Sequence, residues 1–196
     1  MKRLVPVVLA PLALAACQSD TPVQSTPAPS PPASQGSVPS GYPLAPELTR
    51  LEWSKAENRK DCAPIVFTNS GGAGVNARAA EYSGGWAVAY DLPGMRSAFG
   101  VAGSGLLDGD GDDMRAKERQ LRAQWPYFRM LSDLPQPSFA GYGVQGAKAY
   151  PADNPGGTGL DSLAYVQISG QKCLYNVWSK LGREHLETLL VSLRML

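Results

Sequence analysis

The chain predicts an α+β fold in which an antiparallel sheet carries helices packed on one face, closed by one disulfide. Three observations lead there. Short strand-like runs are separated by glycine turns, as in "ARAAEYSGGWAVAYDL" (77–92) and "SLAYVQISGQKCLYNVWS" (162–179), the pattern of hairpins. Helical periodicity is confined to three segments. Of three cysteines, two, Cys62 and Cys173, remain for the folded part.

Taken in order, "ELTRLEWSKAENR" (47–59) reads as a short helix turning Leu48, Leu51 and Trp53 toward a core. "APIVFT" (63–68) reads as a strand and "NSGGAGVN" as a loop. The hairpin over 77–92 turns at Gly84-Gly85, and its second strand alternates Trp86, Val88 and Tyr90 with Ala87 and Ala89. One face is thus large and the other small, and the small face is expected to pack closely against a helix. "RSAFGVAGSGLL" (96–107) is a strand loosened by glycine. "DDMRAKERQLRAQW" (112–125) is a helix, and "WPYFRM" (125–130) is read as its end entering the core, the alternative for its three aromatics beside arginine being to stack sugars or anchor a partner. Strands follow at 138–150, 162–170 and 172–179, the last two joined across Gly170-Gln171. In "REHLETLLVSLRML" (183–196), Leu186, Leu189, Leu190 and Leu193 form one helical stripe.

The first residues read differently. Lys2 and Arg3 precede an apolar run, Leu4 to Ala13, followed by small residues, the three-part pattern of an export signal. The run is too short to span a bilayer, which takes about 20 residues. Leu14-Ala15-Ala16-Cys17 resembles the lipobox of bacterial lipoproteins. That resemblance implies cleavage before Cys17, diacylation of its thiol and acylation of the new N-terminus. Two or more acyl chains anchor stably where one does not. The residue after the cysteine is Gln18 and not Asp, which by the same resemblance implies the outer membrane.

From Gln18 to Ala45 proline, serine, threonine and glutamine dominate and Asp20 is the only charge. Such a segment buries too little apolar surface to offset its ordering entropy. The expected organisation is a signal peptide at 1–16, a lipidated cysteine and tether at 17–45, and one globular domain at 46–196. In the oxidising compartment of an exported protein, Cys62 and Cys173 are expected to pair. Both are read as lying on strands, so the bridge would staple the first core strand to the last.

Removing Lys2 and Arg3 from 18 basic residues leaves 16 against 17 acidic ones. A near-neutral domain gives no electrostatic argument for nucleic acid. The expected partners are the membrane, through the anchor, and an envelope protein or glycan.

Four stretches carry possible chemistry. Asp108, Asp110 and Asp112 alternate as in the first half of a calcium loop. Asp113 stands where glycine is wanted and Arg119 where a bidentate glutamate is wanted, with Glu118 one place short. The alternative is a run of carboxylates capping the helix behind it. "GYGVQGA" (141–147) matches G-x-G-x-x-G but opens no helix, so a strand or bulge is the better reading. His185 is the only histidine, and a serine triad would have to join it to Ser70 or Ser104. Carboxylates Glu81, Asp91, Asp133, Asp153 and Asp161 would serve a hydrolase only if two of them converged in space. The main expectation is a binding or assembly module facing the periplasm. The alternatives are an envelope hydrolase using carboxylates or Ser–His185, and a calcium-responsive domain using Asp108, Asp110 and Asp112. An aromatic groove without triad or calcium cage supports plain binding.

Overall fold

The computed structural model describes residues 41–82, 84–106 and 113–196. Residues 1–40, with Cys17 and most of the stretch read as a tether, and the acidic residues Asp108, Asp110 and Asp112 lie outside the described residues.

Helix α1 (Pro46–Lys55) leads to a three-residue strand β1 (Ile65–Phe67). A meander follows, of β2 (Asn76–Ala80), β3 (Trp86–Leu92) and β4 (Met95–Leu106). Helix α2 (Met114–Gln124) then precedes a second meander of β5 (Tyr127–Met130), β6 (Phe139–Val144), β7 (Ser162–Gln167) and β8 (Cys173–Ser179). Helix α3 (Arg183–Val191) and strand β9 (Leu193–Met195) end the chain. The meanders join edge to edge through β4 and β8, giving a seven-stranded antiparallel sheet in the order β2-β3-β4-β8-β7-β6-β5. Strands β1 and β9 form a separate antiparallel pair.

The large-residue face of β3 enters the main core with Phe67, Phe99, Tyr175 and the leucines of α3, all buried. Tyr90 and Phe99 stack with ring centroids 4.8 Å apart, and Phe67 packs at a tilt against both. Helices α1 and α3 cover this face, where Leu44 and Leu48 join the cluster around Tyr90. The small face of Ala87 and Ala89 was expected to receive a helix, but the helix beside β3 lies on the large face. Helix α2 covers only the far part of the other face, where Leu121 and Trp125 pack on Phe139. Gly141 is required there, because a Cβ would stand 2.8 Å from the Trp125 ring.

Three expectations need correcting. Leu51 faces solvent at 52 % exposure while Thr49, one turn-face away, is buried. "WPYFRM" is not a helix end, because Pro126 cannot continue α2 and Tyr127–Met130 pairs with β6 as an edge strand. The terminal helix stops at Ser192, and Leu193–Met195 pairs with β1. Ile65, Val66 and Phe67 are fully buried, so their backbone groups need that partner.

Cys62 and Cys173 form the disulfide, with Cα atoms 4.9 Å apart. Cys173 opens β8 as expected, but Cys62 lies in the turn before β1. The bridge therefore ties the approach to the small sheet to a central strand of the large one.

Candidate functional site

A cleft of about 400 Å³ opens on the sheet face opposite the main core, within the size range of small-ligand sites. Strand register explains its floor. On this face of β8 stand Asn176 and Trp178, and Trp178 faces Gly100 of β4 and Leu163 of β7 across the ladder. A Cβ at Gly100 would stand 2.1 Å from Trp178 Cζ2, so the indole lies directly on the strand backbone. One rim carries Glu81 and Tyr82 after β2, and the other carries Gln145 and Asp161 beside the start of β7. Tyr82 is 43 % exposed.

Asn176 is 6 % exposed. Its Nδ2 donates to the Tyr82 hydroxyl at 2.9 Å and to Ser104 Oγ. Ser104 sits where the β4–β8 register shifts between Gly103 and Gly105, and such bulges re-aim side chains. Among the described residues Asn176 Oδ1 has no partner. Whichever way the amide is turned, one of its two polar atoms stays unpaired. A buried polar group in that state costs about 1–3 kcal/mol, which a bound donor or acceptor would relieve.

The serine–histidine constellation differs from the expected one. His185 Nδ1 lies 2.9 Å from Ser179 Oγ, and Nε2 lies 3.0 Å from the Ser70 carbonyl. A carbonyl only accepts, so Nε2 carries the proton and Nδ1 accepts from the Ser179 hydroxyl. Ser179 Oγ in turn accepts the Leu181 N–H at 3.0 Å. Ser179 is fully buried and borders the cleft, but its hydroxyl is turned toward α3. Ser70 contributes only backbone to the imidazole, and Ser104 serves Asn176. The histidine clamps the loop after β1 to the start of α3, and the pair presents no accessible nucleophile.

Burial pushes the His185 pKa below its usual value, and the Ser70 carbonyl offsets this only in part. The folded state thus favours neutral imidazole. The stability this contributes is present above about pH 6.5 and is lost as pH falls through the lowered folded value. Asp91 and Glu187 are also held below their usual values of 3.8 and 4.5, so their losses come at lower pH. Below about pH 6.5, before the carboxylates titrate, the melting temperature is expected to fall as pH falls. His185→Gln is expected to flatten that interval in a thermal scan. An unchanged slope in the variant would assign the loss to other groups.

The other carboxylates separate. Asp91 accepts the Ser97 N–H at 2.7 Å and pairs with Arg78 at 2.9 Å; the Ser97 backbone, then Arg78, hold its pKa down against partial desolvation. Asp133 pairs with Arg194 at 2.6 Å, and Asp153 is exposed. Only Glu81 and Asp161 line a common cleft.

The aromatic stretch Trp125–Met130 builds structure on both faces. Tyr127 stacks on Tyr142, packs on Tyr150 and lies under the Arg183 guanidinium at 4.1 Å. Glu187 accepts from the Tyr142 hydroxyl and from Arg183 at 2.7 and 2.8 Å. Burial raises its pKa, but these hydrogen bonds outweigh burial and leave it low. In "GYGVQGA", Gly141 and Gly143 admit Trp125 and Pro126 against the strand, so the glycines serve packing. Asp113, the last of the acidic run, caps α2 by accepting the Ala116 N–H at 2.9 Å. Among the described residues no group of three or more His, Cys, Asp or Glu is placed to hold a metal ion.

Sequence reading missed Asn176 and Trp178. The alternation in "CLYNVWS" already sets Leu174, Asn176 and Trp178 on one face, but what lies opposite them depends on pairing with β4, about 75 residues earlier in the chain. No protein-family model, curated protein sequence or solved structure matches this chain.

Proposed function

We propose that this protein is an envelope lipoprotein, held at the outer membrane by acyl chains on Cys17, whose folded part faces the periplasm as a binding module. The cleft over Trp178 and Asn176 supports the binding part of that reading. It joins a half-buried aromatic ring to a buried amide with an unpaired atom, inside a hollow of about 400 Å³. Lipobox chemistry at Cys17 supports the anchor. Among the described residues no helix is long and apolar enough to cross a membrane.

One observation bears on the hydrolase reading in a narrower form: Glu81 and Asp161 both line the cleft, and acid–base cleavage of a glycosidic bond uses two carboxyl groups about 5–9.5 Å apart.

The anchor is tested by feeding an alkyne-bearing palmitate to cells producing the full chain. The expected result is a labelled, membrane-sedimenting protein, with label and sedimentation both lost in Cys17→Ser. A Cys17→Ser protein that still carries the label would refute acylation at that cysteine.

A further inference from the structure

We propose that the cleft binds a neutral saccharide chain, stacked on Trp178 and hydrogen-bonded at its floor by Asn176. The proposal rests on the binding-module reading and gives it a ligand class. The Cζ2–Cη2 part of the Trp178 ring rests on Gly100, where any Cβ would collide with it, and the half-buried indole lines the cleft. Ring faces of this kind pack against the C–H side of pyranose rings while the polar edge stays free for hydrogen bonds. Asn176 is almost fully buried and, among the described residues, keeps one amide atom unpaired. A hydroxyl is both donor and acceptor and satisfies that atom in either amide orientation. The rims add planar polar groups, Glu81, Gln145 and Asp161, suited to neighbouring hydroxyls.

Charge decides against other ligands. Among the described residues Lys180 is the one cation lining the cleft, against two carboxylates, and its Nζ already donates to the Arg96 carbonyl at 3.2 Å. Among the described residues no arginine lines it, which disfavours phosphate or sulfate. A second hollow of about 270 Å³, lined by Trp125 and Tyr165, shares Leu163 with the first. The two adjoin at that residue, so the site suits a chain of sugars more than a single ring.

The test uses the full chain purified in a detergent without sugar headgroups. Calorimetric titration with chitotetraose, cellotetraose and maltotetraose is expected to give saturable binding to at least one, with a Kd below about 1 mM. Trp178→Ala and Asn176→Ala are each expected to weaken it about tenfold or more. If either loses its cooperative melting, the exposed pair Glu81→Ala with Asp161→Ala decides, with an expected loss of about threefold to tenfold. Failure of all three sugars to saturate overturns the proposal. So does binding that folded variants leave unchanged, or displacement of sugar by tetralysine, which would mark a cationic-peptide site. A palmitate-labelled protein that binds no sugar overturns the ligand class and leaves the anchor standing. Sugar binding by an unlabelled protein does the reverse.

Discussion

Replacing both Cys62 and Cys173 with alanine is expected to lower the unfolding free energy by about 4–5 kcal/mol. The bridge spans 111 residues, and in the chain-entropy model a loop of that length constrains the unfolded chain by this amount. The loss is large beside the 5–15 kcal/mol total typical of folded proteins. Both cysteines are fully buried. Their neighbourhood is also hydrogen-bonded: Lys172 N–H donates to the Asp61 carbonyl at 3.1 Å, Ala63 N–H to Gln171 Oε1 at 2.8 Å, and the Tyr175 hydroxyl to the Ala63 carbonyl at 3.0 Å. Denaturant unfolding of the double variant measures what the covalent link adds to this seam. A change below about 1 kcal/mol would show that the noncovalent seam already holds the two sheets together.

Phe99→Ala is expected to cost about 3–5 kcal/mol, as for other buried aromatic truncations. Its ring is fully buried, stacks on Tyr90, packs on Phe67 and meets the His185 imidazole edge at 5.0 Å. It therefore links β4 to the small sheet, to α1 through Tyr90, and to the histidine clamp on α3. The surrounding rings are large and tightly placed, so the hole cannot collapse cheaply. Leu51→Ala is the matching control. Although a sequence reading puts Leu51 in the core, its exposure sets the expected cost at about 0.5 kcal/mol or less. Equal losses in the two variants would contradict the assigned core.

The contrast between these residues shows what the sequence made legible. Glycine turns at Gly84-Gly85 and Gly170-Gln171 marked the hairpins correctly, because turn chemistry is local. The stripe of Leu186, Leu189 and Leu190 located α3 for the same reason. Strands β5 and β9 were hidden because each continues from a helix and is short. Their strand state comes from partners far away, β6 for one and β1 for the other. The small face of β3 was visible as an alternation, but its use was not, since the sequence does not say which helix lies on which side. The cleft followed the same rule. Tyr82, Gly100, Leu163 and Trp178 come from four separate strands or strand ends, and only register brings them together. The disulfide was legible because, once Cys17 is read as an anchor, only Cys62 and Cys173 remain to pair.

The most direct measurement is a ¹H–¹⁵N spectrum of the full chain in detergent, recorded while a saturating tetrasaccharide is added. Two side-chain signals report on the floor of the cleft, the Asn176 amide pair and the Trp178 indole N–H. Both are expected to shift together, while the indole signals of Trp53 and Trp86, which lie on the core side of the sheet, stay in place. Shifts confined to the core side, or absent from Asn176 and Trp178 under saturating sugar, would contradict the assignment of the cleft as the binding site.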